Sequence, residues 1–162
     1  MQSWGDGTSM KLSAQEDLKL PQTEVFARLS NFETFERIAI KRNVRASQIS
    51  QNNPNEDTLG WNCRFKVRGR QRDVEIRLIE FDEPNSMKFQ AVNPALHARL
   101  EIEVIPLSRV QTRIQVVSVL EPKTLTARLL VQSMKLARSK FNQRFKSRVG
   151  KLAEFISQMP AG

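Results

Sequence analysis

A chain of 162 residues with 40% hydrophobic residues is long enough to form one domain with a sizeable core. Its one cysteine, Cys63, excludes an internal disulfide and a cysteine-rich zinc site, and no apolar run of about 18 residues is present to cross a membrane. The net charge of +9 is concentrated in residues 123–162, which contain nine Lys or Arg residues and one acidic residue, Glu154. Such a charge asymmetry favours an anionic partner.

The first nine residues, MQSWGDGTS, contain two glycines and small polar groups and are predicted to form a flexible arm over residues 1–9. They lack a basic segment followed by an apolar one, which is the pattern of a secretory signal. With no such signal and no disulfide, the sequence predicts a cytoplasmic protein.

A strand followed by two short helices is predicted next. The strand covers residues 11–20, and Pro21 after it suits the first helical position, because its missing N–H has no intrahelical partner there. Ser30 or Asn31 can cap the second helix. At helical spacing, the apolar face of that helix consists of Phe32, Phe35, Ile38 and Ala39.

Apolar and charged residues alternate in the middle of the chain and predict a β-hairpin. A two-residue loop at Gly69-Arg70, with glycine first, is typical of a type II′ turn. The register that this loop implies places Phe65 opposite Val74 on the apolar face. It also pairs the opposite charges of Lys66 and Asp73 on the other face, where each such pair contributes about 0.2–1 kcal/mol.

Three further strands are predicted, at residues 86–93, 96–104 and 110–120. Their connections are short, so the sheet is predicted to be antiparallel with one buried face. If Glu103 pairs with Arg113, the apolar faces of the last two strands coincide. His97, the only histidine, then faces away from the buried side.

From Thr124 the apolar spacing changes from two residues to three, four or five, which predicts one helix of about 35 residues with Thr124 as its N-cap. At 1.5 Å per residue it would be about 50 Å long. Its predicted apolar stripe is Leu125, Leu129, Met134, Ala137, Phe141, Phe145, Val149, Leu152 and Ile156. Such a helix needs a large concave surface to lie in, and the alternating strands supply one.

The order of these elements and two segments of the chain resemble a known group of proteins. LKLPQTEVFARLSNFETFERIAIKR is similar to the opening of bacterial START-like proteins of the polyketide-cyclase and lipid-transport superfamily (SRPBCC). LTARLLVQSMKLARSKFNQRFKSRVGKLAEFI is similar to members of the same group. The resemblance covers residues 10–158, taken as one domain with a tail at 159–162. It implies an α+β helix-grip fold, a curved antiparallel sheet of about six to seven strands around a long C-terminal helix.

Members of that superfamily bind lipids, quinones, sterols, polyketides or plant hormones in an apolar cavity, and some catalyse cyclisation. They share no catalytic set, so the resemblance assigns no catalytic residue, cofactor or metal, and a shared fold does not define a function. We expect the inward faces of the strands and the helix to form the cavity wall. That wall is predicted to include Trp61, Cys63, Phe65, Ile76, Phe89, Leu100, Ile102, Thr112, Ile114, Ser118, Met134 and Phe141.

The terminal helix also carries a predicted basic patch, which suits either a solvent-exposed helix face or contact with an anionic partner. Its members are Arg128, Lys135, Arg138, Lys140, Arg144, Lys146, Arg148 and Lys151. The anionic partner expected first is a membrane surface, and nucleic acid is the weaker expectation.

Three functional classes stay open at this point. The first is a carrier or sensor of an apolar small molecule or lipid, which an apolar cavity would favour. The second is an enzyme of the cyclase or dehydratase kind acting on a polyketide-like or aromatic substrate, which a buried Asp, Glu, Arg or His facing the cavity would favour. The third is a nucleic-acid or ribonucleoprotein-binding module, which a filled core and an unbroken positive face would favour.

Overall fold

The computed structural model describes residues 8–49, 59–67 and 69–160, so most of the predicted N-terminal arm and the end of the predicted tail lie outside it. The elements in chain order are β1 (Met10–Leu18), α1 (Gln22–Leu29), α2 (Phe32–Lys41), β2 (Arg45–Gln48), β3 (Gly60–Val67), β4 (Arg70–Asp82), β5 (Ser86–Val92), β6 (Leu96–Pro106), β7 (Thr112–Pro122), α3 (Leu125–Leu136) and α4 (Arg138–Gln158).

The strands form one curved sheet in the order β1-β7-β6-β5-β4-β3-β2, and every neighbouring pair is antiparallel. The long helix α4 packs mainly against β1, and the short helices α1 and α2 follow β1 in the chain. The predicted α+β helix-grip fold is therefore confirmed. Asn31 caps α2 as expected, because its side chain accepts a hydrogen bond from the Thr34 backbone N–H at 3.4 Å.

The predicted register of the β3–β4 hairpin is wrong by two residues. Phe65 lies opposite Arg72, and Arg64 lies opposite Asp73, with which it forms a salt bridge of 2.9 Å. The turn falls one residue earlier than predicted, because Val67 pairs with Arg70, and Gly69 in this turn has φ of 78°. Glycine adopts this left-handed conformation without the steric cost that a side chain would add.

The register between β6 and β7 is shifted by two residues as well, since Glu103 lies opposite Gln115 and not Arg113. A slip of one residue would exchange the two faces of a strand, whereas a slip of two residues preserves them. The predicted buried faces are therefore correct even where the pairs are not. Ile102 and Ile114, for example, are 6% and 0% exposed.

The long C-terminal helix is confirmed in α4, which has 21 residues, but the prediction of one unbroken helix from Thr124 is wrong. Ala137, with φ of −107° and ψ of 33°, leaves the helical region and separates α3 from α4. Thr124 caps α3 as predicted, since its Oγ1 accepts a hydrogen bond from the Ala127 N–H at 3.1 Å. The two helices also pack on different strands, α3 on β7 and α4 on β1.

The predicted apolar stripe is wrong within α3. Ala127 and Val131 are the buried residues of this helix, at 7% and 1% exposure, whereas Leu125 and Leu129 are 72% and 62% exposed. The error arises at the five-residue step from Leu129 to Met134, which turns through about 140° around a helix. That step moves the stripe from the solvent side to the core side.

The main core lies between α1, α4 and the inward face of β5 to β7. Its most deeply buried members include Val25, Phe26, Met87, Ile114 and Ile156, each at 0% or 1% exposure. A second, smaller cluster beneath α3 contains Met10, Leu12 and Val131.

A buried arginine connects α1 to the end of α4. Arg28 is 9% exposed, and its Nη1 donates to the Ile156 carbonyl oxygen at 2.7 Å. The same guanidinium forms a salt bridge of 3.0 Å with Glu24. A cation at a helix C-terminus satisfies the last carbonyls and complements the helix dipole, so Arg28 stabilises the end of α4.

Candidate functional site

An apolar cavity of about 400 Å³ lies between α2 and the inward face of the sheet. Helical residues that line it are Leu29, Phe32, Phe35, Glu36, Ala39 and, from α4, Leu152. Strand residues that line it are Ala46, Trp61, Cys63, Ile76, Phe89, Ala91, Ala98, Arg99, Leu100, Ile102 and Ser118. Aliphatic and aromatic side chains therefore form most of the wall.

The floor of this cavity is built from small side chains at neighbouring positions of the sheet. Ala91 on β5 pairs directly with Ala98 on β6, and Ser118 on β7 pairs with Leu100 on β6. A methyl or hydroxymethyl group leaves room that a Leu or Phe would fill, and packed interiors otherwise contain few voids larger than a water molecule. The space above the sheet is therefore set by these small residues.

The roof is α2, which covers the floor without packing onto it. No residue of α2, a helix that the structure describes in full, is buried. Phe32 at its start contacts the rings of Trp61 and Phe89, with centroid distances of 5.4 and 6.0 Å and edge-to-face geometry. These aromatic contacts hold the start of α2 against the sheet.

The α2 side of this mostly apolar wall contains a carboxylate. Glu36 on α2 accepts a hydrogen bond from the Trp61 Nε1–H through Oε1 at 2.6 Å. Its second oxygen, Oε2, has no hydrogen-bond partner among the residues that the structure describes, so it can accept a hydrogen bond from a bound molecule. Glu36 is four residues after Phe32 and three before Ala39, a spacing that places it on the apolar face of the helix. The sequence contained this signal, although Glu36 was not among the predicted site residues.

Cys63 is half-buried in the cavity wall, and this burial raises the pKa of its thiol, because the thiolate is poorly solvated there. The neutral thiol behaves as a small apolar group. Among the described residues, no group of three His, Cys, Asp or Glu side chains is placed to hold a metal ion.

Seven of the twelve residues predicted for the wall line this cavity: Trp61, Cys63, Ile76, Phe89, Leu100, Ile102 and Ser118. The other five lie elsewhere. Thr112 is fully buried and donates through Oγ1 to the Leu20 carbonyl oxygen at 2.7 Å, and Ile114 belongs to the main core. Met134 on α3 and Phe141 on α4 pack against the second, smaller cluster, and Phe65 lines a separate surface hollow.

One physical cause accounts for the three of these residues that are on strands, Phe65, Thr112 and Ile114. The inward face of a strand can be deduced from alternation, but the part of that face that stays uncovered depends on where α1, α2 and α4 lie. Thr112 and Ile114 are on the correct face, at the end of β7 that the main core fills. His97 lies on the opposite face of β6 from Ala98 and Ile102, as predicted, because successive side chains of a strand alternate.

The eight residues of the predicted basic patch are divided between the two C-terminal helices. Four of them, Lys140, Arg144, Arg148 and Lys151, follow one exposed row of α4 at intervals of four, four and three residues. Arg138 instead donates to the Lys11 carbonyl oxygen at 3.1 Å.

The guanidinium carbon of Arg144 lies over the Phe141 ring, 5.9 Å from its centroid. Within the described part of the chain, the row on α4 forms no salt bridge with a carboxylate. Like charges at this spacing repel one another, so the row is not explained by the stability of the helix.

Comparison with known proteins decides the family. A family model described as polyketide cyclase / dehydrase and lipid transport matches residues 9–154. The chain belongs to this family. No curated protein matches it.

Solved structures share the fold of this chain. A START superfamily protein from Mycobacterium smegmatis aligns with a TM-score of 0.55 and 12% identity over 88% of this chain and 98% of its own. The Zhui aromatase/cyclase from Streptomyces sp. R1128 aligns with a TM-score of 0.59 and 13% identity over 90% of this chain and 94% of its own. Norcoclaurine synthase from Thalictrum flavum aligns with a TM-score of 0.63 and 11% identity over 93% of this chain and 85% of its own. At these identities the likeness concerns the fold alone. Within the described residues, no helix is both long and apolar enough to span a membrane.

Proposed function

We propose that this protein binds an apolar small molecule or lipid in the cavity beneath α2. The observation that carries this proposal is the pairing of a small-residue floor with an aromatic roof, which leaves about 400 Å³ of apolar space. Ligand sites in proteins are typically cavities of about 300–1,000 Å³ with mostly apolar walls and a few polar groups. The family description, which includes lipid transport, agrees with such a ligand.

The polar groups of the wall restrict the ligand further. Glu36 presents a carboxylate oxygen, and its other oxygen is held by Trp61. A carboxylate left without a partner when a ligand covers it would lose its hydration, which costs free energy. We therefore expect a ligand with an apolar body and at least one hydrogen-bond donor that reaches Glu36.

Native mass spectrometry of the purified protein, with solvent extraction of any bound molecule, tests this proposal. The matched variants are Ala98→Phe, which fills the floor, and Ser13→Phe, which adds the same ring at an exposed position of β1. We expect a co-purified apolar molecule in the wild type and in Ser13→Phe, and its loss in Ala98→Phe. Equal occupancy in both variants, or a wild type that neither carries a ligand nor takes up an apolar fluorescent probe, would contradict the proposal.

Glu36 also favours a second candidate, an enzyme of the cyclase or dehydratase kind acting on a polyketide-like or aromatic substrate. A carboxylate in an apolar cavity can transfer a proton to or from a bound molecule. Glu36→Gln keeps the size of the side chain and removes this capacity. If a poly-β-ketone analogue is converted by the wild type, we expect the variant to bind it and to convert it at least about a hundredfold more slowly. An unchanged rate would exclude Glu36 as the proton-transfer group.

The third class, a nucleic-acid-binding module, was expected to have a filled core. The cavity beneath α2 does not favour it.

A further inference from the structure

The feature that the ligand cavity does not explain is a row of exposed leucines on α3. Leu125, Leu129 and Leu136 are 72%, 62% and 92% exposed. At about 100° per residue they lie within about 40° of one another around the helix, on the side opposite Val131. Leu130, 60% exposed, lies about 100° further around the helix from Leu129 and flanks the row on the side away from Arg128. These four residues are referred to below as the leucine face.

The leucine face is too concentrated to be ordinary surface composition. Single exposed apolar residues are common on proteins, whereas a contiguous exposed apolar patch marks a contact site. Nine large hydrophobic residues are exposed in the described part of the chain, and four of them are on this helix of 12 residues. The opposite face of α3 already packs against the protein core through Ala127 and Val131, so the leucines are not needed for that contact.

The charge around the leucine face restricts what can cover it. Helix α3 contains no Asp or Glu, and residues 123–162 contain nine Lys or Arg residues and one Glu. Arg128 is on α3, exposed beside the leucine row, and it forms no salt bridge within the described residues. A second copy of this chain is a poor occupant, because two such helices face to face would bring like charges together.

An anionic lipid surface fits both properties. Helices that lie in the bilayer interface have an apolar face, a polar face rich in Lys and Arg, and low overall hydrophobicity. A row of leucines along one side of a helix enters the interface without needing a shaped groove in a partner. We propose that α3 docks this protein on anionic membranes, with the leucine face inserted and the surrounding cations on lipid headgroups.

The position of α3 connects this docking surface to the cavity. Leu96 on β6 and Leu120 on β7 pack in the cluster beneath α3. Two residues along the same strands and on the same face, Ala98 and Ser118 form the cavity floor. A membrane-bound α3 would therefore hold one end of the cavity close to the bilayer, a consequence that rests on the proposed function, whereas docking itself does not.

Vesicle co-sedimentation tests the docking proposal. The probes are vesicles of phosphatidylcholine alone and of phosphatidylcholine mixed with phosphatidylglycerol, each at low and high salt. We expect binding to the anionic vesicles at low salt, weakened by high salt, and little binding to the neutral ones, because polybasic attraction is screened.

Three variants assign the binding to α3. The triple change Leu125→Ser, Leu129→Ser and Leu136→Ser alters only exposed positions, so the fold should persist, and we expect binding to fall at least about tenfold. Arg128→Gln should reduce the affinity of the protein for the anionic vesicles about fivefold. Val110→Ser is the matched control, because Val110 is an apolar residue that is 68% exposed in the loop before β7.

Three outcomes would overturn the proposal: no binding to anionic vesicles, equal binding to neutral vesicles, or equal losses in the triple variant and in Val110→Ser. Self-association that the triple variant abolishes, without vesicle binding, would assign the leucine face to a second copy instead. Ala98→Phe should keep vesicle binding while losing the cavity ligand, so failure of docking and failure of ligand binding are distinguishable.

Discussion

The two ends of the central strands differ in how completely they are filled. At one end the inward residues are large and fully covered: Met87 on β5, Val104 on β6 and Ile114 on β7, each 0–2% exposed. Towards the other end the same three strands present Ala91, Ala98 and Ser118, which line the cavity. The difference shows that a continuous sheet can combine a packed core with a binding cavity through side-chain size alone.

Matched isoleucine-to-alanine substitutions at the two ends should show the largest difference in stability. Ile114→Ala, in the filled end, should lower the free energy of unfolding by about 2–5 kcal/mol, because it creates a new void. Ile76→Ala, at the half-buried cavity wall, should cost roughly half as much, since that site already borders open space. Urea unfolding monitored by circular dichroism measures both values. Equal losses would mean that the cavity is closed in solution.

Removal of the Arg28 charge, which contacts the C-terminal end of α4, should have the next largest effect on stability. Arg28→Met keeps much of the side-chain volume and removes the hydrogen bond to Ile156, so we expect a loss of about 1.5–3 kcal/mol. Trp61→Phe removes a hydrogen bond to Glu36 at the cavity end, where the carboxylate can be resolvated, and it should cost less. The same unfolding experiment decides between them. A larger loss in Trp61→Phe would contradict the assignment of Arg28 to the more tightly packed end.

Matched alanine enlargements test the comparison from the opposite direction. Ala153→Leu, in the main core on α4, should destabilise the protein by about 1–3 kcal/mol through overpacking. Ala98→Leu should cost less than about 1 kcal/mol, because the cavity accommodates the added carbons. Thermal unfolding of the two variants beside the wild type measures the difference. Similar costs for both would show that the floor has no spare volume.

The pH dependence of Cys63 should give the smallest effect. Burial raises the pKa of this thiol above its usual value of 9.0, so folding favours the protonated form. The stabilising contribution is complete below the unfolded-state pKa and is lost as pH rises through the folded-state pKa. We therefore expect wild type to lose slightly more stability than Cys63→Ser between neutral pH and the region above 9.0. An identical pH dependence of the two unfolding free energies would contradict the burial of the thiol.

Much of the fold could be predicted because its signals are local. Alternation in β6 identified Leu100 and Ile102 as inward and His97 as outward without knowledge of the partner strands. The caps at Asn31 and Thr124 followed from side chains that bond to the next turn of the same helix. The candidate site was predicted less completely, since Glu36 and Ala39 belong to a helix whose position over the sheet is not encoded in any single segment.

The sequence by itself determined which face of each strand is buried, the basic excess of residues 123–162 and the long apolar stripe of α4. Each of these depends on residue identity and a local repeat. Only the tertiary structure decided the strand registers, since a slip of two residues preserves every face. It also decided the break at Ala137, where the chain passes from the helix on β7 to the helix on β1. The location of the cavity was decided there too, because it depends on how α1, α2 and α4 divide one sheet between them.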